Sequence, residues 1–269
     1  EQRDGRTGPR LDRPCPRRET LSVTMATILA CHGFTGEGAD FEPLRAVLPT
    51  GHELVAPDFP GHGSRRGLRA PADYSLAAHL AILDESIRAT TEPVTLLGYS
   101  MGGRLALHWA LTNPGKFRQL ILVGASPGLA TEAERTERTY ADAAVAKYLR
   151  TEGLTAFYKY WHNQPFFRTL LALPNPQLEP ILSRRHQNDS EGLALSLKHV
   201  GTGRLPSLWE RLRELNGPVD LVTGEHDPKF TELARRIGER LPKARLSVIE
   251  GCGHAVHLER PADLVQVLR

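Results

Sequence analysis

Ser100 stands between Gly98 and Gly102 in Gly98-Tyr99-Ser100-Met101-Gly102, a spacing that lifts a serine hydroxyl out of a sharp strand-to-helix turn. So tight a turn strains its central residue and requires small residues two positions away on either side. Ser100 then occupies a helix N-terminus, where free N–H groups and the helix dipole stabilise an anion. A serine hydroxyl is a weak nucleophile or base at neutral pH until an imidazole accepts its proton and a carboxylate orients that imidazole. The chain offers His254, in Gly251-Cys252-Gly253-His254, and Asp227, in Gly224-Glu225-His226-Asp227-Pro228. Taken singly, His254 is a loop histidine, Asp227 a helix cap and Ser100 a serine in a glycine-lined turn. Together, in the order Ser, Asp, His and each after its own strand-like run, they point to a catalytic triad. The backbone N–H groups of Met101 and of Phe34, in His32-Gly33-Phe34-Thr35-Gly36, are the expected donors to a developing oxyanion. Cys252, His254 and His257 also raise the question of a metal site, but no partner stands at zinc-ligand spacing. Neither a metal nor an organic cofactor is expected.

These side chains need elements to hold them. Strand-like runs occur at 27–31, 53–57, 94–97, 120–123, 219–223 and 245–249. Helical spacing occurs around 41–48, at 76–89, after Ser100, at about 231–241 and from Pro261. Such alternation implies an α/β fold with a mostly parallel sheet flanked by helices on both faces. His32, Asp58, Ser100, Asp227 and His254 all follow strand-like runs, where open α/β sheets bind their ligands. Residues 127–212 break the pattern. They show helical stretches without a convincing strand and carry Tyr140, Tyr148, Phe157, Tyr158, Tyr160, Trp161, Phe166 and Phe167. The segment reads as a helical cap inserted into a core made of 25–126 and 213–269.

The 269 residues suit one domain with an insertion and can bury a full core. The net charge is +3, and residues 1–24, an Arg/Pro-rich stretch read as a poorly ordered tail, supply +2 of it. Met25 is a candidate natural start. The near-neutral remainder offers no broad electrostatic footprint for nucleic acid or membrane. Cys15, Cys31 and Cys252 are too scattered for a disulfide framework, and neither a membrane span nor a signal-peptide core is visible. A soluble, cytoplasmic protein is expected.

With these residues assembled, the chain resembles the α/β-hydrolase superfamily over residues 25–269, through His32-Gly33, Asp58-Phe59-Pro60-Gly61-His62-Gly63, the serine turn and Gly253-His254. Rarer stretches resemble one family within it, the 2-succinyl-6-hydroxy-2,4-cyclohexadiene-1-carboxylate synthases of menaquinone biosynthesis. They are His32 to Gly36, Gly98 to Arg104, Ser126-Pro127-Gly128-Leu129 with Glu137-Arg138, Trp161, Gln164-Pro165-Phe166-Phe167 and Asp227-Pro228-Lys229-Phe230. The chain departs at Leu205, where family members often carry Gln. The resemblance implies a lyase that expels pyruvate from the ring of a small tricarboxylate without net hydrolysis.

Such a substrate calls for cations. Arg104 lies one helical turn beyond Ser100 on the same face, while Arg138 and Arg185 fall in the cap, and guanidinium grips carboxylates bidentately. Arg184 beside Arg185 leaves that assignment open. Trp161 and Tyr99 are candidate pocket walls, or packing under the cap. A serine hydrolase with a covalent acyl-enzyme is the alternative reading, and a non-catalytic hydrolase-like binding protein a third. Monomer and homodimer both stay open.

Overall fold

The computed structural model describes residues 26–90 and 93–268. The Arg/Pro-rich tail, with Cys15 and Met25, lies outside the described residues. The chain runs β1 (Ala26–Cys31), α1 (Glu42–Arg45), β2 (His52–Val55), α2 (Leu76–Arg88), β3 (Val94–Tyr99), α3 (Met101–Thr112) and β4 (Phe117–Val123). Four helices follow without an intervening strand: α4 (Glu132–His162), α5 (Arg168–Leu171), α6 (Asn175–His186) and α7 (Ser190–Val200). The sheet resumes with β5 (Val219–Gly224), α8 (Pro228–Gly238), β6 (Ala244–Ile249), α9 (Val256–Glu259) and α10 (Pro261–Val265).

The strands form one parallel sheet in the order β2-β1-β3-β4-β5-β6. β3 and β5 are buried at every position, which explains why apolar residues dominate both, with Thr95, Asp220 and Thr223 as their buried polar positions. The edge strand β6 is largely exposed. Side chains alternate across the sheet. Leu29, Leu96, Leu120 and Leu221 meet Leu83 of α2 and Leu105 and Trp109 of α3 on one face. Ile28, Leu97, Ile121 and Val222 meet Val256 of α9 and Leu264 of α10 on the other. Each such side chain contributes about 1.5–3 kcal/mol by leaving water. The Trp109 indole N–H donates to Asp84 at 2.7 Å, tying α3 to α2.

Above the carboxyl ends of the strands, Ala146, Leu149, Phe157 and Tyr158 of α4 pack on Leu193, Ala194 and Leu197 of α7 as a separate cluster. α4 bends at Gly153, whose φ of 75° and ψ of 178° are not helical. The sequence reading contained no such kink. Leu205, Leu208, Trp209 and Leu212 join the sheet core instead of this helical layer.

Candidate active site

The turn after β3 places Ser100 at φ 51° and ψ −108°. It can form because a Cβ on Gly98 would sit 2.5 Å from Gly103 Cα, and one on Gly102 would strike the Cys31 carbonyl of β1. The glycines therefore let α3 start close against the neighbouring strand. Met101 opens α3, so its N–H has no intrahelical acceptor.

Beyond β5, Asp227 does two jobs at once. Its Oδ1 accepts from the Phe230 N–H at 3.3 Å and caps α8, while its Oδ2 lies 2.6 Å from His254 Nδ1. An ionised carboxylate only accepts, so Nδ1 carries the proton and Nε2 is left as the basic nitrogen. Both residues are buried, and the rings of Phe230, Phe166 and Tyr99 lie 4.4, 5.3 and 5.2 Å from that of His254. Glu259 accepts from the N–H groups of Gly253 and Ala255 at 2.8 and 3.1 Å, fixing the backbone on either side of His254.

The loop after β1 turns at Gly33–Gly36, where the Gly36 N–H donates to the Gly33 carbonyl at 3.1 Å and Thr35 adopts φ 71°. His32 supports it. One ring nitrogen, Nδ1, donates to the Gly33 carbonyl at 2.9 Å and the other, Nε2, accepts from the Phe59 N–H at 3.0 Å. Asp58 accepts from the Gly38 and Ser64 N–H groups. Both residues build loops and stand outside the cavity wall.

A cavity of 370 Å³ opens between these loops and the helical layer, lined by Phe34, Tyr99, Ser100, Met101, Arg104, Arg138, Trp161 and His254. Arg104 Nε is sealed from solvent without a hydrogen-bond partner among the described residues. Burial, and then repulsion from Arg138, lower its guanidinium from 12.5 to about 10. Arg138 is already engaged, its Nε 2.7 Å from Asp142 Oδ1, and the second Asp142 oxygen is buried without a hydrogen-bond partner among the described residues. Trp161 stacks on Phe157 and meets Phe34 edge-on, so it walls the cavity and packs under the helices. Tyr99 likewise lies 4.3 Å from the His257 ring, and burial raises its phenol.

Arg185 does not reach this wall. Its position on α6 turns the guanidinium over the Phe167 ring, with Nη1 3.0 Å from His162 Nε2. Arg184 pairs with Asp40 at 2.8 Å and Glu37 at 3.4 Å. Leu205 is buried in the sheet core, away from the cavity, although Gly201 and Thr202 beside it line the wall. Sequence reasoning missed Lys229, Gln164 and Asp142, which also line it. Lys229 sits two residues after Asp227, and Asp142 four residues after Arg138 on one helix, spacings that could have exposed both. Among the described residues no cluster of His, Cys, Asp and Glu could hold a metal, and no helix is long and apolar enough to cross a membrane.

The alpha/beta hydrolase family profile matches residues 28–267. A Bacillus subtilis (strain 168) protein, provisionally named a 2-succinyl-6-hydroxy-2,4-cyclohexadiene-1-carboxylate synthase, is 37% identical over 87% of this chain and 85% of its own. The synthase of that name from Enterobacter sp. (strain 638) is 33% identical over 88% and 90%. Among solved structures, MenH from S. aureus superposes with a TM-score of 0.81 at 30% identity, covering 90% of this chain and 91% of its own. A thermophilic esterase from Thermogutta terrifontis, 22% identical with a TM-score of 0.77 over 90% and 88%, shares the fold. The sheet order, the turn at Ser100 and these likenesses agree: the chain belongs to the alpha/beta hydrolase family.

Proposed function

We propose that the protein is a lyase that eliminates pyruvate from 2-succinyl-5-enolpyruvyl-6-hydroxy-3-cyclohexene-1-carboxylate, giving 2-succinyl-6-hydroxy-2,4-cyclohexadiene-1-carboxylate for menaquinone biosynthesis. The observation that carries this reading is Arg104, a guanidinium in the wall shared with Ser100 and His254 whose Nε has no hydrogen-bond partner among the described residues. A pocket for neutral esters gains nothing from such a group, whereas a substrate with three carboxylates supplies its missing partner. The names of the Bacillus and Enterobacter relatives point the same way.

In this reading His254 Nε2 takes the Ser100 proton while Asp227 holds the imidazole. The Ser100 oxygen removes the ring proton beside the succinyl carbonyl, and the freed electron pair moves onto the carbonyl oxygen. The Phe34 and Met101 amides hold that oxygen. As the carbonyl re-forms, the pair shifts across the ring double bond and breaks the bond to the enolpyruvyl oxygen. The departing enolate takes up the proton and becomes pyruvate. Arg104, Arg138 and Lys229 orient the carboxylates so that the labile proton faces Ser100. The helices over 132–200 act as the lid.

Purified protein incubated with the enolpyruvyl substrate should release pyruvate, read through a coupled dehydrogenase, and Ser100→Ala should abolish the release. No pyruvate, together with rapid acylation of Ser100 by activated esters, would assign the site to ester hydrolysis instead.

A further inference from the structure

Thr35 is a β-branched residue at φ 71°, a conformation that persists only when its surroundings hold it. It is 1% exposed, and its own hydroxyl has no partner among the described residues, so its side chain does not stabilise the turn by hydrogen bonding. The holding comes from Asn188. Its Nδ2 donates one hydrogen to the Thr35 carbonyl at 2.9 Å and the other to the Tyr158 hydroxyl at 2.8 Å, in a buried setting. A carbonyl only accepts, which places the amide nitrogen on that side. Asn188 is itself anchored between two helices. Its backbone N–H donates to Arg185 at the end of α6, and the next residue, Asp189, caps α7. Tyr158 lies on the second half of α4, beyond the bend at Gly153. The lid therefore reaches the loop that carries the Phe34 amide through one side chain. The Phe34 ring packs on the same part of the lid, 5.5 Å from Trp161 and 6.3 Å from Phe157.

We propose that Asn188 is a positioning residue. By clamping the carbonyl of strained Thr35 to the lid hydroxyl of Tyr158, it keeps the Phe34 N–H aimed at the oxygen on which charge develops. This rests on Phe34 being an oxyanion donor, as proposed above. Without the clamp, Thr35 loses the only donor to its buried carbonyl among the described residues and relaxes towards negative φ, turning the neighbouring peptides with it. Seating of the lid is thereby coupled to competence of the oxyanion site, because Tyr158 and Asn188 both belong to the lid.

The test compares Asn188→Ala, the near-isosteric Asn188→Asp, Thr35→Gly and the double variant Asn188→Ala/Thr35→Gly. Each is assayed by pyruvate release and, in parallel, by hydrolysis of p-nitrophenyl acetate, at a temperature where circular dichroism shows it fully folded. Asn188→Ala and Asn188→Asp should lower kcat about 10- to 100-fold, somewhat less than outright loss of an oxyanion donor, with KM within about threefold. Glycine adopts positive φ freely, so in the Thr35→Gly background Asn188→Ala should lower kcat by less than about threefold. A merely structural Asn188 would show no such rescue. Unchanged kcat in both Asn188 variants, or an undiminished loss in the Thr35→Gly background, overturns the proposal. Wild-type protein that hydrolyses the ester but releases no pyruvate defeats the lyase reading alone, and the ester assay then decides on Asn188. Inertness towards both substrates overturns the two together.

Discussion

A guanidinium withdrawn from water, its Nε without a hydrogen-bond partner among the described residues, is costly to a fold unless something else requires it. Burial lowers Arg104 to about 10, so the group stays charged at neutral pH but its charged form is less favourable there than in water. Two opposite effects are therefore expected of Arg104→Met. The KM for the tricarboxylate should rise about 10- to 100-fold with kcat reduced, while p-nitrophenyl acetate turnover changes little. The melting temperature should stay level or rise by about 2 °C, because a buried and incompletely hydrogen-bonded charge has been removed. Equal losses on both substrates in steady-state assays would count against a carboxylate role. Asp227 separates in a similar way. Asn keeps an oxygen for the Phe230 N–H, so Asp227→Asn should lower kcat about 10⁴-fold with an almost unchanged melt. Asp227→Ala should lose the same activity and about 1 kcal/mol of stability besides, measured by urea titration. That Ser100 and Arg104 share one cavity wall was legible in the chain, because a tight turn and a helical repeat are local rules. The fate of Arg185 was not, since nothing local says whether a helix position faces a cavity or the Phe167 ring.

At the scale of elements, the bend in α4 decides what the lid presents to the cavity. The residues after Gly153 include Phe157, Tyr158 and Trp161, and they face inward against Phe34 and α7. A straight helix would carry them elsewhere. Gly153 has no neighbour within 4 Å of an added Cβ, so a methyl group there meets open space and only the backbone conformation resists it. Its φ of 75° with ψ of 178° belongs to a region open almost solely to glycine. Gly153→Ala should accordingly cost about 1–3 kcal/mol in a denaturant titration and raise KM for the substrate, through a displaced lid. Retained stability and retained KM in that variant would show that the bend does not depend on glycine. That 127–212 holds helical stretches was readable from the chain, but a single glycine inside a helical pattern reads as a small propensity cost and not as a hinge.

Across the whole molecule, buried histidines set the response to acid. Burial lowers His257 to about 3 and His79 and His108 to about 4, and holds His62 well below its ordinary value. An unfolded histidine titrates near 6.5, so between about pH 4 and 6.5 the unfolded chain binds protons that the folded one refuses. Stability is therefore complete above about pH 6.5 and falls as the pH drops towards 4, by up to about 1.4 kcal/mol per pH unit for each such group. Thermal melts from pH 8 to 4 should show this fall, and His257→Leu should make it shallower by one group's share. An identical slope in that variant would mean that His257 titrates normally in the folded protein. Ordering of strands and helices and the Ser-Asp-His succession were contained in the sequence, because they depend on periodicity, turn sterics and residue order, while the expectation of an anion pocket came from the family resemblance. Tertiary structure alone decided that Lys229 faces the cavity and Arg185 does not, that Asp142 already occupies Arg138, that Leu205 belongs to the core, and that Asn188 joins the lid to a strained loop 153 residues away. Those outcomes depend on how distant segments pack, and packing follows from the summed geometry of every buried side chain.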